Sequence, residues 1–207
     1  MLNSLSHRER KAVEHYDNLA KQGDLADAPV WVDSFTGRIF RNLGDDDEVV
    51  DIGCRIGRFI PLLPELGIRR YFGIDPSEES INFCRREFSI IHGPNMQFEV
   101  GEARTLGTLY PDRFSGFILA AVLMHIPRDD LQEVLKSIRR SLKEGAPGFI
   151  STPGRWGDEF DFVNRHGMEL TLYTMKELNE ALIAAGFGIF GLFTPDDHMI
   201  LAHVIAI

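Results

Sequence analysis

One stretch concentrates residue types that bind ligands: Glu48-Val49-Val50-Asp51-Ile52-Gly53-Cys54-Arg55-Ile56-Gly57-Arg58-Phe59. Val49, Val50 and Ile52 are β-branched and apolar, as suits a strand covered on both faces. Asp51 interrupts them just before Gly53 and Gly57. A glycine at such a reversal supplies unusual dihedrals, or the missing side chain that lets a ligand approach the backbone. Strand, glycine turn and helix is the geometry of a ligand site at the carboxyl edge of a parallel sheet. Asp75 ends the next apolar run, 22 positions after Gly53. An acid there can accept both hydroxyls of a ribose through strong, charge-assisted hydrogen bonds. Its competing role is to cap the helix that follows Pro76. The spacing does not separate one nucleoside-bearing cofactor from another. A dinucleotide site expects G-x-G-x-x-G. Here Arg55 and Arg58 stand in the second and third glycine slots, so that pattern fails in two of three positions.

The elements that must carry these residues alternate. Ser6 with Glu9 three residues on predicts a capping box and a helix to about Gln22. A second helix is expected over Val30–Leu43, with Trp31, Phe35, Ile39 and Phe40 inward. Helices are also predicted from Arg58 to Leu66, after Ser77, from Asp129 to Leu142, and from Thr174 (capped with Glu177) to Ala185. Strands are expected around Val49–Ile52, Arg70–Asp75, Met96–Val100, Phe114–Ala121 and Pro147–Ser151. Gly154–His166 is a polar and aromatic insert of little periodicity. Phe187–Phe193, a turn at Thr194–Asp197, and His198–Ile207 read as a closing hairpin. Alternation implies a parallel sheet with helices on both faces, and the hairpin adds one antiparallel strand.

At 207 residues the chain fits one domain, and 44% hydrophobic with 26% charged residues is ordinary for a globular protein. A net charge of −9 argues against a nucleic-acid partner. No apolar run approaches the roughly 20 residues that span a bilayer, so no membrane association is expected. Two cysteines, Cys54 and Cys84, without metal spacing or a framework of pairs point to a reducing, cytoplasmic setting. His7, His92, His198 and His203 form no metal pattern with acids, and no metal is expected.

The first motif, with Asp51, Gly53 and Gly57, resembles that of the class I S-adenosylmethionine-dependent methyltransferases, an acid followed by G-x-G-x-G. Arg55 departs from it. The order of elements is similar too: that family has a Rossmann-like, seven-stranded, mostly parallel sheet whose last strand runs antiparallel. The resemblance covers nearly everything from Glu48 on. It implies one domain over residues 1–207, with a core over 45–207 and residues 1–44 as an N-terminal helical lid. It also implies S-adenosylmethionine as cofactor and methyl transfer to a small-molecule acceptor. Asp51 would face the methionine amino group, Asp75 and Pro76 the ribose and ring, and Glu102 and Ala103 the adenine edge. Ile74, Pro76 and Leu106 can sandwich that ring. Cys54 within the turn and Ala120 at the end of the fourth strand are counted with these contacts. Arg55 either crowds the methionine end or aims its guanidinium at the methionine carboxylate. Arg38 is a second carboxylate candidate, as a basic residue before the first strand. Tyr16 resembles a lid tyrosine packed on the cofactor, its face suited to a sulfonium. His125 resembles a histidine that faces the transferring methyl, as a base if the acceptor must lose a proton, or as a structural loop residue. Trp156, Phe160, Phe162, His166 and Tyr173 can line an acceptor pocket or simply pack. Two other readings stay open: a non-enzymatic cofactor-binding or regulatory protein on this fold, and a nucleotide-dependent oxidoreductase. The broken dinucleotide pattern and the terminal hairpin speak against the oxidoreductase.

Overall fold

The computed structural model describes residues 5–22, 36–88, 95–155, 161–164, 167–196 and 198–207. Seven strands form the main sheet: β1 (Glu48–Ile52), β2 (Arg70–Asp75), β3 (Met96–Val100), β4 (Gly116–Ala120), β5 (Pro147–Pro153), β8 (Phe187–Asp196) and β9 (Met199–Ala206). Their spatial order is β3-β2-β1-β4-β5-β9-β8. β3, β2, β1, β4 and β5 pair in parallel, and β9 is inserted antiparallel between β5 and β8. The chain runs outward from β1 through β2 to β3, then returns to the other side of β1 with β4. The reversal falls between β1 and β4, and ligands bind at the carboxyl ends of strands flanking such a point.

Side chains along β1 alternate between two cores. Val50 and Ile52 face a cluster built with α5 (Leu106–Leu109), α6 (Leu131–Ser141) and α7 (Met175–Ala184). Val49 faces the other, with α3 (Leu63–Leu66) and α4 (Glu78–Glu87). Burial on both faces explains why the central strands read as nearly unbroken apolar runs. The caps form as the spacing predicts. Ser6–Glu9 and Thr174–Glu177 close capping boxes on α1 (His7–Lys21) and α7, and the Ser77 hydroxyl accepts from the Ser80 amide at α4.

Three local expectations are corrected. Residues 58–66 are not one helix but a 3-10 turn, Ile60–Leu62, followed by the single turn α3. Pro64 has no N–H to donate back to Ile60, so a continuous α-helix is unavailable. Of the helix expected over Val30–Leu43, residues 30–35 lie outside the described part. The described part contains only α2 (Thr36–Ile39). Phe40 is fully buried beside Val49, and the Thr36 hydroxyl meets Nε2 of buried His203 at 3.2 Å, which holds this segment in the core. Of the insert after β5, the described residues 161–163 form a strand that the sequence does not signal: β6 (Asp161–Val163) pairs with β7 (Glu169–Thr171) as a small antiparallel ribbon. Among the described residues no helix is long and apolar enough to cross a membrane.

Candidate functional site

A cavity of about 190 Å³ opens at the carboxyl rim of the sheet. Its walls come from the carboxyl end of each of four strands and the segment that follows: Ile52 and Gly53 at β1, Asp75 and Pro76 at β2, Gly101–Arg104 after β3, and Ala120–Val122 with Met124–Ile126 at β4. Helix α1 crosses above, contributing Glu9, Ala12, Val13 and Tyr16.

The glycine turn has its shape for identifiable reasons. Gly53 (φ 73°) and Gly57 (φ 81°) both occupy the left-handed region. A Cβ on Gly53 would stand 2.4 Å from Val122 Cγ2, and one on Gly57 would stand 2.5 Å from Ile60 Cδ1. Arg55 lies between them, also left-handed at φ 52°. That backbone explains why the related pattern puts glycine here, since an L side chain in this region costs about 1 kcal/mol. The strained residue is clamped. Its amide donates to Asp75 Oδ2 at 2.9 Å, and its carbonyl accepts from the Cys84 thiol at 3.3 Å, with the Cys54 sulfur 3.7 Å away. Cys54 is therefore a buried support of the turn and does not line the cavity, and neither does Gly57.

Asp75 lines the cavity at the end of β2. Besides Arg55 it accepts from the Ser77 amide, Oδ1 at 2.8 Å, so it fixes the turn and the start of α4 together. Burial pushes its carboxyl up to about 6, against the pull of those two amides and of the Arg58 guanidinium. Asp51 sits one layer below, fully enclosed, with Oδ2 accepting from the Tyr71 hydroxyl at 2.6 Å. Burial pushes it to about 6 as well, with Tyr71 and Arg58 pulling it down and Asp75 adding to the rise.

Arg58 is the residue the sequence reading missed. It lines the cavity, donates through Nη2 to the Ala120 carbonyl at 2.9 Å, and is the cation acting on Asp51, Asp75 and Tyr16 alike. Its Nε is buried with no hydrogen-bond partner. In the sequence it reads only as a failed third glycine or a charge opening a helix. Arg38 goes the other way. It lines a separate cleft with Asp47, Ser115, Lys143 and Pro147, residues at or just outside the amino ends of β1, β4 and β5. The structure does not bring it to the cavity, because Phe40 draws its segment under the far edge.

At the wall after β3, Glu102 is buried and lines the cavity with Gly101 and Ala103. Ile74 and Pro76 line it too, whereas Leu106 belongs to the core and does not. At the opposite wall the Tyr16 hydroxyl lies 3.1 Å from His125 Nε2, with the rings edge to face. Burial, with the Arg8 and His15 charges, lowers the His125 imidazole to about 4, so it is neutral at pH 7 and Nε2 can accept from the tyrosine. The Arg55 guanidinium lies over the Tyr16 ring, 5.2 Å from its centroid. Tyr173 is core, under the Arg128 guanidinium. Trp156, Phe160, His166 and the side chain of Phe162 lie outside the described residues.

The donor set fits an adenosine carrying a charged amino-acid tail. There is an acid at the β2 end, an acid and backbone amides after β3, apolar walls between, and a guanidinium above a buried acid at the far end. Among the described residues no group of His, Cys, Asp and Glu is arranged to hold a metal ion.

Comparison with known proteins agrees with that fit. Residues 49–145 match a family described as a methyltransferase domain. A search of curated proteins finds no match. Among solved structures, one similar fold is the 1,6-didemethyltoxoflavin-N1-methyltransferase of Burkholderia thailandensis, with 1,6-didemethyltoxoflavin and S-adenosylhomocysteine bound. Its TM-score is 0.76 at 22% identity, covering 98% of this chain and 91% of that one. Another is the geranyl diphosphate C-methyltransferase of Streptomyces coelicolor A3(2), with a TM-score of 0.75 at 15% identity, covering 98% of both chains. A third is the [4+2]-cyclase SpnF, with a TM-score of 0.73 at 14% identity, covering 96% of both.

Proposed function

We propose that this chain is a class I S-adenosylmethionine-dependent methyltransferase that methylates a small molecule held beside His125 and Tyr16, a reading supported by the methyltransferase-domain match over residues 49–145 and by the similar folds of S-adenosylmethionine-dependent methyltransferases. The cofactor is S-adenosylmethionine, which supplies an electrophilic methyl group on a sulfonium. One observation carries the rest: a single cavity gathers Asp75, Glu102, Arg58 and His125 from four strand ends, beneath the helix that presents Tyr16. In this reading Asp75 accepts the ribose hydroxyls, and Glu102 with the Ala103 amide reads the adenine edge. Arg58 takes the methionine carboxylate, and Asp51, enclosed one layer below and not itself on the cavity wall, acts on the amino group at a distance through its charge. Residues 1–207 act as one unit, with α1 as the lid.

In-line displacement of a good leaving group asks the protein mainly to align the acceptor and exclude water. A neutral His125 whose conjugate acid lies near 4 is a weak proton acceptor. It suits an acceptor that loses its proton easily, or one that needs only to be held. Two neighbours described with a small organic substrate bound agree with a small acceptor. The net charge of −9 disfavours nucleic acid. The two free, buried thiols agree with a reducing, cytoplasmic setting.

Calorimetry with S-adenosylmethionine, S-adenosylhomocysteine and NAD tests the cofactor, and labelled-methyl turnover across a small-molecule panel tests the reaction. Uptake of the first two with transfer to a panel member supports the proposal. Uptake without any transfer supports a binding protein on this fold, and uptake of NAD alone sinks both.

The two arginines of the turn separate cleanly. Arg58→Met is expected to weaken S-adenosylhomocysteine by about tenfold or more, the loss of a charge-assisted pair. Arg55→Gly is expected to leave it within about threefold. Glycine keeps the backbone amide that donates to Asp75 and so the shape of the turn, and gives up only the stacking contact on Tyr16, about 0.5 kcal/mol. Calorimetry on both variants decides which cation serves the carboxylate, and the reverse order would return Arg55 to that role.

A further inference from the structure

We propose that Arg104 is a positioning residue that couples occupation of the adenine end of the cavity to docking of α1, with Glu9 as its partner on the lid. The proposal rests on the reading of the site given above. The side chain of Arg104 is 11% exposed, and it stands among carboxylates from three separate parts of the chain. Its Nη1 is 3.8 Å from Glu102 Oε2 on the adenine wall, and Glu102 is 4% exposed. Its Nη2 is 2.8 Å from Asp130 Oδ2, just ahead of α6, and 3.3 Å from Glu9 Oε1, which is 6% exposed. Glu9 has two uses. Its Oε2 accepts from the Ser6 amide at 2.7 Å to complete the capping box, leaving Oε1 for the guanidinium. One side chain thus touches both the acid that reads the adenine edge and the first turn of the helix that closes over it.

The charges make the link energetic as well as geometric. One guanidinium against three carboxylates sums to two formal negative charges, with Arg104, Glu102 and Glu9 nearly buried and Asp130 partly exposed, and a buried charge lacking a partner is costly. A ligand amine donating to Glu102 disperses part of that charge. The guanidinium is then better able to hold Glu9, and with it the start of α1. By linkage, a docked Glu9 improves the affinity of the adenine end by the same factor.

The test uses the full chain and S-adenosylhomocysteine, with hydrogen exchange in residues 7–21 read with and without ligand. In the wild type the ligand slows exchange in α1. In Arg104→Met the ligand still binds, with affinity lower by about tenfold, and at saturation exchange in α1 is no slower than in the empty protein. Arg104→Lys restores part of the protection. Glu9→Gln keeps a capping-box residue at its position and loses the ion pair, so it uncouples likewise even if Arg104→Met fails to fold. A merely structural role would lower thermal stability but leave the ligand-dependent difference intact. Protection of α1 that survives Glu9→Gln at saturation overturns the coupling alone. A wild-type protein that takes up no S-adenosylhomocysteine overturns the reading of the site and the coupling with it.

Discussion

Replacing Asp75 by alanine is expected to weaken S-adenosylhomocysteine by about a hundredfold or more while the protein stays folded, on the proposed reading of the site. Two charge-assisted hydrogen bonds to ribose hydroxyls are worth about 3 kcal/mol together, and each 1.4 kcal/mol is tenfold. The fold survives because the loss of the bonds from the Ser77 and Arg55 amides is set against the relief of a buried charge. The pH dependence follows from the same carboxylate. Its folded value near 6 means that the empty site takes up a proton below that pH, and the acceptor form needed for the ribose is lost. Affinity is therefore expected to fall steadily between about pH 6 and pH 5. Calorimetry on the wild type across that range, and on Asp75→Ala at pH 7.5 with circular dichroism as the folding control, checks both. Alanine at 75 with undiminished affinity would remove ribose binding from this residue.

The second large effect runs in the opposite direction for stability. Asp51→Asn is expected to make the empty protein more stable at pH 8, with a melting temperature higher by about 5 °C, while weakening the cofactor. Asp51 is raised from 3.8 to about 6 by enclosure, which marks its charged form as unfavourable in the fold. For an acid raised in this way, the stabilising contribution is complete below the unfolded value. It is lost as pH climbs through the folded one, amounting to about 3 kcal/mol. Asparagine cannot ionise, and its carbonyl can still accept from the Tyr71 hydroxyl. A net gain of about 2 kcal/mol, after the amide's own burial, is worth about 4–8 °C in a chain of this size. The variant's unfolding midpoint should accordingly lose part of the decline between pH 4 and pH 7 that the wild type shows. Denaturation at pH 5 and pH 8 measures the difference. An equal wild-type advantage at both pH values would mean that the carboxylate is not held at a cost.

Much of this site was legible from residue types, and the remainder was not for physical reasons. The acids ending β1 and β2 are readable because a strand end is a local feature, and an aspartate beside a glycine turn or a proline announces it. The antiparallel insertion of β9 follows from two apolar runs around a Thr-Pro-Asp-Asp turn. Arg58 is invisible in the sequence because its role depends on the Ala120 carbonyl, 62 residues further on. The position of Arg38 is not legible in the sequence, because a basic residue before the first strand says nothing of which rim of the sheet its segment packs beneath. Phe40 decides that, and its partners Val49 and Gly116 lie in different strands. Glu9 shows a similar limit. Its capping role is written in the spacing Ser6-x-x-Glu9, yet its other oxygen meets a guanidinium 95 positions away.

Arg8 carries a consequence for timing. From α1 it donates to the Met124 carbonyl at 2.8 Å and to the Thr171 hydroxyl at 2.6 Å, and that hydroxyl donates in turn to the Ile126 carbonyl. The cover, the loop bearing His125 and the small ribbon are thereby stapled into one piece. A guest enclosed by such a piece departs no faster than the staple lets go.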